Sequence, residues 1–237
     1  MVERRLEREK DPGMEVNEFL KLRTAFIRRH YDVGASPFWE IIRKIEAEEE
    51  PYEPPYSEDG GEPAFMSEWT DARTSLDVLG ATCVSILSDT LKLYFMTWER
   101  QLGIECQKHL PKEFKKGFVN GYKACYGQLL KTDWSDCPAD WDIIEQVVLA
   151  RNDANHAKSI DDMRLEHSSN VREKHPLPLF LSEDERRVLE TDQAEDYAWF
   201  SLSLVVTRDN LLAAIEQVEG LAAWMEDQMF EVKYGHR

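Results

Sequence analysis

Cations are scarce in this chain: 29 Lys and Arg stand against 46 Asp and Glu in 237 residues, a formal charge of −17. That balance excludes a basic coat for nucleic acid, whose sign would be opposite. Cysteine is also scarce. The four thiols, Cys83, Cys106, Cys125 and Cys137, have no CxxC spacing, and we read them as reduced and mostly packed rather than as a disulfide framework or a zinc site. The apolar stretches are interrupted by charges before the roughly 20 residues that a membrane span requires, and Met1-Val2-Glu3-Arg4-Arg5 does not open a signal peptide. The expectation is a cytoplasmic protein with no membrane partner. Disorder is excluded in turn, because 42% hydrophobic and 11% aromatic residues suffice for a core.

Strand signals are missing too. No period-two alternation is sustained, no Asn-Gly or Asp-Gly hairpin stands between alternating runs, and no repeat of 20 to 50 residues recurs. What is present is helical spacing. Residues 15–29 and 37–50 read as two helices around a turn at Asp32-Val33-Gly34-Ala35, the second with Ser36 as N-cap and Pro37 at its first position. Trp69, Ala72, Leu76, Leu79, Cys83 and Ile86 recur at three and four in a long helix ending near Leu102-Gly103. Another helix begins at Pro111 and runs to about Leu130. Asp140 caps the next, and Ser182 with Glu185 forms a capping-box pattern. A last long element, from about Gln193 to Phe230, is apolar on more than one face. The expected fold is an all-α helical bundle with two long central helices in a single domain, 1–237. A helix as broadly apolar as the last one serves as bundle centre or subunit contact, and a homodimer is the simplest assembly.

Punctuation concentrates at 46–63, which holds eight acids, no Lys or Arg and four of the ten prolines. Such a segment repels itself and cannot continue a helix, so we read it as a flexible acidic loop. Together with residues 182–196, at −5, it accounts for most of the excess charge and leaves −4 for the remainder. Within that remainder, Lys112, Lys115, Lys116 and Lys123, with Lys108 and Lys131, face only Glu113. This basic stretch precedes the next helix and is either an RNA-binding face or a solvated helix surface.

That next helix carries the one motif with chemical content. With Trp141 at zero and about 100° per residue, Ile143, Val147, Ile144 and Val148 define a buried stripe, and Arg151 and Asn155 fall inside it. Asn152 and His156 lie at its edge. An apolar face that turns polar without changing direction costs several kcal/mol unless the cation is paired or lines a cleft. Two arrangements remain open. Arg151 pairs with a carboxylate such as Glu145 or Asp196 while His156 finishes a helix C-terminus, or the group opens into a polar site at a helix end, completed by a second chain. Side chains five apart diverge by about 140° on one straight helix, which is why the second chain enters.

Arg151-Asn152-x-x-x-His156 resembles the RxxxxH signature of the HEPN superfamily, all-α domains named for higher eukaryote and prokaryote nucleotide binding. The resemblance covers six residues in an all-helical setting. It implies a metal-independent endoribonuclease, of the kind that includes toxins and defence effectors, whose site forms where two motif copies meet across a dimer. It also implies RNA as substrate, no cofactor, no metal, 2′,3′-cyclic phosphate ends, and an antitoxin or regulatory protein as partner. Other members have lost cleavage, so the alternative is a non-catalytic nucleotide-binding or protein-interaction module. The residue types suit the chemistry. Histidine is the side chain whose unperturbed pKa lies near neutrality, so His156 can move a proton, and Arg151 offers a planar fork matched to phosphate oxygens. Asn152 can orient the histidine or hold the phosphate. The chain has no GxGxxG, Walker, HExxH or ExxH pattern to suggest another chemistry.

Overall fold

The computed structural model describes residues 16–55, 63–155, 164–191 and 201–234. Every named element is an α-helix: α1 (Val16–Glu46), α2 (Met66–Leu102), α3 (Cys106–His109), α4 (Pro111–Phe114), α5 (Phe118–Leu130), α6 (Trp141–Asn155), α7 (Ser169–Lys174), α8 (Glu183–Leu189) and α9 (Arg208–Tyr234). No strand occurs among the described residues, whose one extended pairing is a bridge between Glu166 and Ser203. The fold is all-α. Of the described helices, α2 alone is long and apolar enough to cross a bilayer, and 56% of that stretch is buried within the protein, as in an interior helix.

Two compact units divide the chain, each assembled from segments distant in sequence. The first holds residues 16–23, 90–138 and 219–234. Its centre is aromatic. Phe95 is fully buried, with its ring centroid 5.0 Å from Tyr122 and 5.9 Å from Tyr126. The hydroxyls of these tyrosines are not orphaned: Tyr126 donates to the Phe95 carbonyl at 2.6 Å, Tyr94 to the Ala222 carbonyl at 2.9 Å, and Tyr122 to Glu99 at 2.7 Å. Glu99 then accepts the Cys106 N–H at 2.7 Å. A buried aromatic set with its polar tips satisfied is a strong organiser of a small core.

The same unit corrects two expectations. Residues 111–130 do not form one helix: α4 ends after a single turn and α5 begins at Phe118, because Gly117 takes φ +116° and breaks the helical path. Cys106 and Cys125 are not reduced thiols. They form a disulfide, since that break brings α3 against α5 with the two Cα atoms 5.7 Å apart. Cys83 and Cys137 are not disulfide-bonded, Cys83 being buried. Closing a loop of 19 residues should stabilise the fold by about 3 kcal/mol. Cys125→Ser is therefore expected to lower the unfolding temperature clearly, with added dithiothreitol moving the wild type to the same value; superimposable melts would contradict the crosslink.

Glu226 on α9 is the strained ionisable group of this unit. Burial pushes its carboxyl up to about 7, against the opposing effect of the Asn17 backbone N–H, and Asp227 and Glu18 add to the rise while Lys21 offsets it. Its Oε2 is buried with no hydrogen-bond partner. A carboxyl whose folded pKa exceeds the unfolded one holds its proton better when folded, so stability should fall as pH rises from about 4.5 to about 7 and then level off. The group is only half-buried, and solvent screens part of the effect. Glu226→Gln is expected to raise stability at pH 8 by about 1–2 kcal/mol and to flatten that slope, as read from urea melts at a series of pH values.

The second unit holds residues 24–55, 63–89, 139–155, 164–191 and 201–218 of the described chain. Here α1 runs through the expected turn at 32–35 and past Pro37 without stopping. Gly34 lets α1 approach α2 closely, since a Cβ there would sit 3.0 Å from Leu79, and Tyr31, Ala35 and Ile42 continue a buried face across the proline. That packing outweighs the hydrogen bond lost at Pro37. Two capping expectations hold. Asp140 accepts the Asp142 N–H at 2.8 Å ahead of α6, and the reciprocal Ser182–Glu185 box opens α8. α9 starts later than expected, at Arg208, because residues 201–207 are extended: His167 N–H donates to the Leu202 carbonyl and Leu204 N–H to that of Leu165. Thr207 then caps the helix by accepting the Asn210 N–H at 3.3 Å. Residues 193–200 of the expected helix lie outside the described residues.

Candidate functional site

α6 carries the motif in the second unit. Its buried face consists of Ile144, Gln146, Val147, Val148 and Ala150, and Gln146 is satisfied by accepting the Leu179 N–H at 2.6 Å. Arg151 follows at the edge of that face. The helical wheel put it in the middle of the buried stripe, but its side chain is 40% exposed, and Asn155, also expected inside the stripe, is exposed. The long arginine stem covers the apolar edge while the head reaches out.

The guanidinium is positioned by two neighbours. Nη1 donates to Asn152 Oδ1 at 3.3 Å, and Nη2 stands 3.6 Å from Asp89 Oδ1 on α2, a carboxylate that is itself 57% exposed. Nε is buried without a hydrogen-bond partner. Among the described residues the guanidinium makes one hydrogen bond, to Asn152, so the fork retains donors for an incoming anion. The structural alternative expected a bundle carboxylate beside Arg151, and Asp89 supplies one, as an exposed ion pair at 3.6 Å. Glu145 does not, since it takes Lys174 at 2.9 Å and stands 3.6 Å from His175. Asp196 lies outside the described residues, and so does His156.

Asp153, which occupies an unassigned position of the motif, fixes the last turn of α6. Its Oδ2 accepts the Ser168 N–H at 3.0 Å and lies 3.8 Å from Nδ1 of buried His167. His167 Nε2 faces the Phe180 carbonyl at 2.8 Å; a carbonyl only accepts, so Nε2 carries a proton. Burial alone would raise the Asp153 carboxyl, but His167 and Ser168 outweigh it and hold its pKa below the ordinary value. The segment 164–168 is thereby tied to the helix end, next to Arg151 and Asn152 in sequence. Neither Asp89 nor Asp153 was singled out by sequence: Asp89 is one acid among many, and no spacing rule links it to Arg151.

The lysines of the expected RNA face belong to the first unit. Lys112 and Lys115 are exposed, Lys116 pairs with Glu113 at 2.9 Å, and Lys123 is half-buried on α5. They are spread over α4, its end and α5, so the expected basic helix is a set of short pieces. No group of three or more His, Cys, Asp or Glu side chains able to hold a metal ion occurs among the described residues. No protein-family model, curated protein or solved structure matches this chain.

Proposed function

We propose that this chain is a metal-independent endoribonuclease of HEPN type, acting as a homodimer, with Arg151, Asn152 and His156 as its catalytic residues. The observation that supports it is the state of Arg151: half-exposed, braced by Asn152 and Asp89, and left with N–H donors unused. An arginine braced and open to solvent suits a phosphate.

In the proposed reaction a base removes the proton of a ribose 2′-hydroxyl, and the oxygen attacks the adjacent phosphorus. The 5′-oxygen leaves with a proton supplied by an acid, giving a 2′,3′-cyclic phosphate and a 5′-hydroxyl. His156 fits the proton transfers because its ordinary pKa lies near neutrality. Arg151 stabilises the charge that builds on the non-bridging oxygens, and Asn152 keeps the fork in plane. Lys112, Lys115, Lys116 and Lys123, in the first unit, are proposed to bind RNA through its phosphates. A toxin or defence role, with an antitoxin or regulatory partner, follows from the same reading. The test is incubation of the purified protein with varied RNAs in EDTA, with and without candidate activators. Cleavage is the expected result; RNAs left intact under all these conditions would overturn the proposal in favour of a non-catalytic nucleotide-binding or interaction module.

A further inference from the structure

A second site stands in the same unit, sharing no residue with the last turn of α6. A cavity of about 460 Å³ opens between α1, α2, the start of α8 and the extended segment before α9, and its lining includes Tyr31, Trp39, Arg73, Leu76, Asp77 and Val206. Two opposite charges line it from one helix. Arg73 and Asp77 are one turn apart on α2, which places their Cβ atoms roughly 5–6 Å from each other.

That spacing is the usual one for an ion pair, yet no ion pair forms between them. Arg73 instead lies over two indole rings, 5.9 Å from the centroid of Trp39 and 5.3 Å from that of Trp69. Stacked guanidinium faces leave the in-plane N–H groups free to meet a carboxylate. Trp69 is held in turn by donating to Glu46 at 3.1 Å. Asp77 is half-buried, and burial raises its carboxyl while Arg73 only partly offsets the rise. A nearby ammonium would relieve it. Tyr31 donates to the Val206 carbonyl at 3.4 Å, so its oxygen remains an acceptor at the inner wall. Leu76 and the half-exposed Trp39 supply apolar surface beside the two charges. Arg187 at the rim is 3.5 Å from both Glu183 and Asp184, which leaves one net negative charge at the mouth.

We infer that this cavity binds a free α-amino acid with an apolar side chain, its carboxylate on Arg73, its ammonium on Asp77 and its side chain against Trp39 and Leu76. The two charges of such a ligand are separated by two bonds through one carbon, so both partners, one helical turn apart, are reached at once. A simple carboxylate would leave Asp77 unsatisfied, and a simple amine would leave Arg73 without an acceptor.

The test is calorimetric titration of the full chain with phenylalanine and leucine, and with the single-charge analogues phenethylamine, 3-phenylpropionate, isoamylamine and 4-methylpentanoate. At least one amino acid should bind at least tenfold more tightly than its own amine and acid. Asp77→Asn should abolish the preference over the acid while keeping that over the amine, and Arg73→Gln should do the reverse. A misfolded variant would lose all ligands alike, in which case the wild-type panel decides. The inference is overturned if neither amino acid binds at millimolar concentration, if the analogues bind as tightly, or if both substitutions leave the selectivity unchanged.

Discussion

Arg151→Ala is expected to lower RNA cleavage in EDTA about 10²–10³-fold, and His156→Ala about 10²–10⁴-fold, with far-UV circular dichroism unchanged in both. The arginine figure follows from removing a preorganised donor from the proposed phosphate site, and the histidine figure from removing the proposed proton-transfer group. Arg151→Lys separates a fork from a point charge. A lysine keeps the cation but cannot span two phosphate oxygens, so it should recover only a small part of the loss. Asp89→Asn has a smaller expected effect, because Asp89 contacts Arg151 at 3.6 Å from an exposed position and braces it without touching substrate. Gel-resolved initial rates on a single labelled RNA give all four values. Equal rates for wild type and Arg151→Ala would remove the arginine from the site.

Phe95→Ala is expected to destabilise the first unit by about 3–5 kcal/mol. The side chain has no exposed surface, and its ring stands against Tyr122 and Tyr126. Truncation leaves a void lined by aromatic rings whose hydroxyls are anchored elsewhere, to Glu99 and to the Phe95 carbonyl itself, so the walls have little freedom to collapse. Phe95→Leu, which retains most of the volume, should cost less than half as much. Denaturant melts check both, and a loss under 1 kcal/mol for the alanine variant would show that this cluster does not organise the core.

The helical fold was legible because its signals are local. Asp140 and the Ser182–Glu185 box act within three residues of themselves, and the spacing along α2 survives burial because it reflects one continuous face. Signals that depend on distant packing were not legible. Pro37 reads as a boundary until the Gly34–Leu79 approach and the buried residues beyond it are known. Residues 201–207 look helical by composition, yet pair with 164–167, a segment no sequence rule connects to them. The Cys106–Cys125 disulfide needed the break at Gly117, a backbone conformation that composition does not announce. At the candidate site, the motif residues were visible, whereas the bracing of Arg151 by Asp89 and of Asp153 by Ser168 and His167 was not. The net charge of −17 likewise says little about any one surface, because its excess sits mainly in two segments.

End-group analysis of a cut RNA separates attack by the 2′-hydroxyl from hydrolysis by water. A labelled RNA is incubated with the protein in EDTA, alongside a copy bearing a single 2′-deoxyribose at the mapped cleavage position. The expected result is 2′,3′-cyclic phosphate and 5′-hydroxyl ends on the first and no cut at that position in the second. Cleavage of the deoxy-substituted copy at the same position, or 5′-phosphate ends on either, would contradict it.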